Sequence, residues 1–113
     1  MVCDVGKKAD REKLIKQTVQ KYGKINYLVS NAAISSEFGK FLTAREDKIQ
    51  EMWDINYKAA FFLVQEALPY LRAEKDSSIV IISSYTAYDL PPVIGHYALT
   101  KTALVALTKI LAK

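Results

Sequence analysis

Residues 78–84 read Ser-Ile-Val-Ile-Ile-Ser-Ser. Four β-branched residues stand in a row between small hydroxylated ones. No apolar–polar alternation appears, so the run suits a parallel strand covered on both faces. Asn26-Tyr27-Leu28-Val29-Ser30 is a second buried run, and it ends in Asn31-Ala32-Ala33. A short β-branched stretch, Val2–Val5, reads as the end of a third strand.

The patterns between these runs are helical. From Asp10 to Tyr22, residues Leu14, Ile15, Thr18, Val19 and Tyr22 recur at helical spacing, and charges fill the other face. Gly23 follows as a stop. Thr43-Ala44-Arg45-Glu46 fits a capping box, with Thr43 as N-cap and Glu46 reaching back. A helical stretch with Ile49, Met52 and Trp53 comes next. Another runs from about Tyr57 to Arg72, with Ala60, Phe61, Val64, Leu68 and Leu71 on one face and Pro69 placed to kink it. Ser35–Leu42 and Tyr85–Gly95 read as loops, and from His96 or Tyr97 onward the chain is helical. The order β-α-β-α-α-β-α predicts an α/β protein with a doubly wound parallel sheet.

Composition narrows the class. The chain has 113 residues, half of them hydrophobic and a quarter charged, which is ordinary for one globular domain. No run of about 18 apolar residues exists, so no membrane span is expected. Asp4, Lys7, Lys8 and Asp10 interrupt any apolar leader. A single cysteine, Cys3, excludes a disulfide framework and a multi-cysteine zinc site; it reads as a strand residue rather than a reactive thiol. No metal site is expected. Net charge is +4, but it is spread: 10 basic and 8 acidic residues in 1–57, then 6 and 4 in 58–113. Lys7, Lys8, Arg11, Lys13 and Lys16 cluster with Asp4, Asp10 and Glu12 interleaved, the pattern of a solvated helix face rather than a nucleic-acid patch.

The chemistry gathers around Tyr97-x-x-x-Lys101. Residues i and i+4 share a helix face. An ammonium beside a phenol favours the phenolate, which lets tyrosine act as general acid or base nearer neutral pH. Chance alone gives roughly 0.8 such pairs in a chain of this composition, so the pair by itself decides nothing. Its context does. Ser84 lies 13 residues earlier, at the C-terminal end of the strongest strand. Ligands of open α/β sheets bind at that edge. Asn31-Ala32-Ala33 ends the preceding strand, and Asn56 breaks an otherwise apolar helical pattern.

With these residues in place, the chain resembles the short-chain dehydrogenases/reductases. The resemblance is carried by Cys3-Asp4-Val5, Leu28-Val29-Ser30-Asn31-Ala32-Ala33, Trp53-Asp54-Ile55-Asn56, Ile79–Ser84 and Tyr97–Leu104. Cys-Asp-Val-Gly-Lys, Val-Ser-Asn-Ala-Ala and Thr-Lys-Thr-Ala-Leu resemble most the branch of dehydrogenase/reductase member 4 carbonyl and retinal reductases. The family usually has glycine where Ala33 stands. The resemblance implies an NAD(P)-dependent oxidoreductase interconverting a carbonyl and a secondary alcohol. Tyr97 would be the general acid/base, and Lys101 would bind the nicotinamide ribose and lower the Tyr97 pKa. Ser84 would position the substrate oxygen and stabilise developing charge; Ser83 is its neighbouring alternative, disfavoured by the 13-residue spacing. Asn56 would hold a water linking Lys101 to solvent. Asp4, with the Val5 backbone, would contact adenine, and Asn31, Ala32 and Ala33 would line the adenosine ribose. The branch favours NADP over NAD.

The family's glycine-rich phosphate loop does not occur: the four glycines stand at 6, 23, 39 and 95. The resemblance therefore implies a partial Rossmann-like domain over 1–113, the middle of a chain of roughly 250 residues. In the family's sheet order 3-2-1-4-5-6-7 it would supply strands 3, 4 and 5, three layers if completed. Val2–Val5 would then lack a neighbour, while the two other strands would stay adjacent. Poor stability and weak cofactor binding are expected of 1–113 alone. The resemblance also implies an intracellular protein, cytoplasmic or peroxisomal, and a homo-oligomer at full length. A non-catalytic fragment pairing with a full-length relative is the competing function. His96 is expected at a helix start without a catalytic role, and Trp53, Phe61 and Phe62 in helix packing.

Overall fold

A computed structural model describes residues 1–113. Helix α1 spans Lys8–Tyr22, strand β1 Tyr27–Ser30, helix α2 Glu46–Trp53, helix α3 Ala59–Arg72, strand β2 Ser78–Ile81, the short helix α4 Thr86–Asp89 and helix α5 Gly95–Leu111. Phe41–Thr43 and Pro92–Ile94 are single 3-10 turns. The strands pair in parallel, Tyr27 opposite Ser78 through Ser30 opposite Ile81. The α/β class is as the sequence predicts, and the two strands lie adjacent as the family resemblance implies.

The third strand does not form. Residues 1–4 carry no regular structure, and the sheet has two strands only. A strand needs a neighbour to receive its backbone hydrogen bonds, and none lies beside Val2–Val5. The Asp4 backbone turns instead: Lys7 N–H donates to Asp4 O at 2.9 Å, and Gly6 N–H to Asp4 Oδ1 at 3.0 Å.

All the long helices lie on one side of the sheet. Ile15 of α1, Ile25, and Ala67 and Leu71 of α3 form one core cluster against Leu28 and Ile79. Ala60, Leu104 and Leu107 form a second, where α3 and α5 meet over Ile81. The smallest dimension is 16 Å, one sheet and one helix layer. The opposite sheet face stays open: Tyr27, Val29, Val80 and Ile82 are 41% to 67% exposed. The continuous apolar run of 78–84 predicts two covered faces, and the structure covers one.

Gly23 stops α1 as expected, at φ 78°, with its N–H on Val19 O at 2.7 Å. The capping box does not hold. Thr43 closes the 3-10 turn, its hydroxyl donating to Lys40 O at 3.0 Å. Helix α2 starts at Glu46 after Arg45, without a side-chain cap; Glu46 and Asp47 favour its N-terminus through the helix dipole.

Helices α2 and α3 join without a break through a π-turn, Asp54–Lys58, in which Ala59 N–H reaches back five residues to Asp54 O. The buried positions explain it. Met52, Asn56 and Ala60 are buried at steps of four, more than the 3.6 residues of one α-turn. A wider turn absorbs the excess and keeps all three on the inner side. Pro69 lies within α3 without ending it.

Candidate active site

The site grows from the C-terminal ends of β1 and β2, where the π-turn and α5 close over them. Asn56 is fully buried at the centre of the π-turn. Its Nδ2 donates to Ile34 O at 2.8 Å, and its Oδ1 accepts from Ile34 N–H at 2.8 Å. This mimics a strand pairing and fastens the segment that leaves β1 just after Asn31-Ala32-Ala33. The second Nδ2 hydrogen goes to Thr100 Oγ1 at 3.0 Å, and Thr100 in turn donates to Tyr97 O at 2.7 Å. Both amide hydrogens are thereby used, so a water on Asn56 would need its remaining Oδ1 lone pair or its backbone.

Thr100 is a residue of the candidate site that sequence reading misses. It is fully buried and links the π-turn to the helical turn that bears Tyr97 and Lys101. The available signal is a hydroxyl between Tyr97 and Lys101 on a helix whose neighbouring buried positions, Ala98 and Leu104, are apolar.

Lys101 is 2% exposed. Its Nζ donates to Ile82 O at 3.0 Å and lies 5.6 Å from the Tyr97 ring centroid. Burial lowers its pKa, because a desolvated ammonium is disfavoured. The Lys101 carbonyl accepts from Ser83 Oγ at 2.7 Å. Strand end and helix are thus stitched twice, once in each direction. This separates the two serines. The Ser83 hydroxyl is committed to the helix. The Ser84 oxygen instead accepts from Thr86 N–H at 3.2 Å and Thr86 Oγ1 at 2.9 Å. Its own hydroxyl hydrogen is left to donate outward.

The start of α5 is clipped to the loop before α2. Phe41 stacks on His96 with ring centroids 4.3 Å apart, and His96 Nε2 donates to Phe41 O at 3.1 Å. A Cβ on Gly95 would stand 2.5 Å from the Phe41 ring, so glycine alone admits this approach. His96 sits in the first turn of the helix and serves this clip, as a helix-start residue.

The adenine-side candidates lie on the other flank of the π-turn. Gly6 packs so closely on Ile55 that a Cβ would lie 2.8 Å from Ile55 Cδ1. Asp4 is exposed and Val5 half-buried; Asn31, Ala32 and Ala33 are exposed at the end of β1. The π-turn is therefore the divide: Asn56 faces the Tyr97–Lys101 helix, and Ile55 faces the Asp4–Gly6 turn. Cys3 is half-buried, and burial beside Asp10 and Asp4 raises its thiol pKa, which keeps it protonated. No group of His, Cys, Asp and Glu side chains is placed to hold a metal. No helix is long and apolar enough to cross a membrane.

The family model described as enoyl-(acyl carrier protein) reductase matches residues 1–113. The chain belongs to the short-chain dehydrogenase/reductase family. It is 46% identical over 113 residues to tropinone reductase-like 3 of Erythroxylum coca, covering all of this chain and 43% of that one. It is 41% identical over 111 residues to dehydrogenase/reductase SDR family member 4 of Bos taurus, covering 98% of this chain and 40% of the relative. The chain thus spans less than half the length of these curated relatives. Among solved structures it is similar to NAD+-bound xylitol dehydrogenase. The TM-score is 0.93 at 26% identity, over 99% of this chain and 43% of that one. The member 4 resemblance and the partial Rossmann-like fold of this family member agree with the expectations from its sequence.

Proposed function

We propose that this short-chain dehydrogenase/reductase segment carries the proton-transfer side of an NAD- or NADP-dependent oxidoreductase that interconverts a small-molecule carbonyl and a secondary alcohol. The observation that carries the reading is the buried Lys101, anchored to Ile82 O one helical turn from Tyr97. Its ammonium has three hydrogens and one protein acceptor within the site. The remaining donors fit a ribose hydroxyl and the neighbouring phenol oxygen. A nicotinamide dinucleotide supplies the hydride when bound.

In this reading Tyr97 gives its phenolic proton to the carbonyl oxygen during reduction and takes it back during oxidation. Lys101 stabilises the phenolate left behind. Ser84 donates to the substrate oxygen, which its free hydroxyl hydrogen supports. Asn56 and Thr100 hold the helix turn that presents Tyr97. Asp4 and the Val5 backbone receive adenine, and Asn31, Ala32 and Ala33 line the adenosine ribose. Their exposure at the rim supports those roles.

Tyr97→Phe removes the acid and keeps the ring. In the protein that carries this chain, carbonyl reduction with NADH or NADPH should fall by about 10²- to 10⁴-fold, with KM little changed. Full activity in that variant would overturn the assigned role.

A further inference from the structure

Arg11 belongs to a charge-rich stretch that reads as a solvated face, and Lys7, Lys8, Lys13 and Lys16 are indeed exposed. Arg11 departs from them: it is 5% exposed. Its Nη1 donates to Val5 O at 2.7 Å. Its Nε donates to Glu66 Oε1 of α3 at 3.3 Å, and its guanidinium carbon lies 5.1 Å from the Phe62 ring centroid. One side chain of α1 thus ties α3 to the segment before α1. The second Glu66 oxygen, Oε2, is buried without a partner. A buried pair with one oxygen unsatisfied is a weak source of stability, since desolvation offsets most of the attraction. What the pair secures is direction. A guanidinium fork makes two fixed bonds at once, which an ammonium cannot reproduce.

The carbonyl it holds belongs to the middle of a tight turn. Asp4 N–H donates to Asp10 Oδ2 at 2.8 Å, Gly6 N–H to Asp4 Oδ1 at 3.0 Å, and Gly6 presses on Ile55. The Asp4 and Asp10 bonds are exposed; the Arg11 bond to Val5 is the part-buried one. We propose that Arg11, seated by Glu66, is a positioning residue that sets the shape of the Asp4–Gly6 turn for binding an adenine ring. This rests on the adenine role given above to Asp4 and Val5.

The test replaces both charges together, Arg11→Met with Glu66→Met, in the protein that carries this chain, so that no lone charge stays buried. Amide exchange at Gly6 and Lys7 should quicken at least tenfold, while exchange in β2 and the middle of α3 holds. Affinity for adenosine 5′-monophosphate, followed by backbone NMR shifts at residues 4–6, should fall at least fivefold. Arg11→Lys, which keeps the charge against Glu66, should show the same pattern in milder form; it decides the matter if the double variant does not fold. Unchanged exchange at Gly6 and Lys7 overturns the strut. Faster exchange with unchanged nucleotide affinity overturns the positioning role. Absence of nucleotide-induced shifts at residues 4–6 in the unsubstituted protein that carries this chain overturns the adenine reading itself, and the positioning role with it.

Discussion

The two faces of the β1–β2 pair have similar composition and opposite circumstances. Leu28, Ile79 and Ile81 face α1, α3 and α5 and are packed. Tyr27, Val29, Val80 and Ile82 face outward and stay open. The bonds that assemble the candidate site, from Asn56 to Ile34 and Thr100 and from Lys101 to the backbone oxygen of Ile82, are made by side chains of the helical layer on the covered side. An apolar strand pattern therefore states a demand for burial. It does not say which element meets the demand. Helices α1, α3 and α5 meet it on one face only.

Substitutions on the two faces should differ accordingly. Asn56→Ala strips both hydrogen bonds to Ile34 and the link to Thr100, leaving buried backbone groups without partners. Denaturant unfolding should show a loss of about 3 kcal/mol. A loss below ~1 kcal/mol would mean that the covered side is looser than its hydrogen bonds imply.

Lys101 distinguishes the faces by pH. Its folded pKa lies below the ordinary lysine value because of burial. Between the folded and unfolded values the unfolded chain binds more protons, so stability rises as pH climbs through that window. Below it, the buried ammonium carries its full desolvation cost. In Lys101→Met the alkaline rise should vanish from a series of unfolding curves. An identical slope in both proteins would place the lysine in water.

On the open face the expected change is small. Val29→Thr with Val80→Thr should move stability by no more than about 0.5 kcal/mol, while lowering self-association measured by light scattering. A loss of several kcal/mol would show that this face is covered in solution.

The sequence made the covered half legible and the rest only in outline. Continuous apolar runs marked both central strands, Gly23 marked a helix end, and the Tyr97–Lys101 spacing with Ser84 before it pointed to the candidate site. Asn56 stood out as a polar residue in an apolar pattern. Three features were less visible, each because it depends on a distant partner. Thr100 looks like any helical threonine until Asn56, 44 residues away, meets it. Arg11 looks like a surface cation until Glu66, 55 residues away, draws it in. Val2–Val5 has strand propensity, but a strand exists only as one side of a pair. The Thr43–Glu46 capping pattern failed for a local reason: the helix starts at Glu46 with Arg45 as its N-cap, so Thr43 stands two residues too early, inside its own 3-10 turn.

The π-turn also makes the long α2–α3 helix a device with a counted register. Each residue of an α-helix turns the chain by about 100°. Dropping one residue between Asp54 and Lys58 would let the turn relax to ordinary winding. Helix α3 would then keep nearly its orientation relative to α2, because the wide turn already winds the chain as if one residue were missing. Ala67 and Leu71 would stay on the sheet, and the bulge that presents Asn56 to Ile34 would be lost. A single-residue deletion elsewhere in α2 or α3 has no wide turn to absorb it and would put the two halves of the helix out of phase by about 100°.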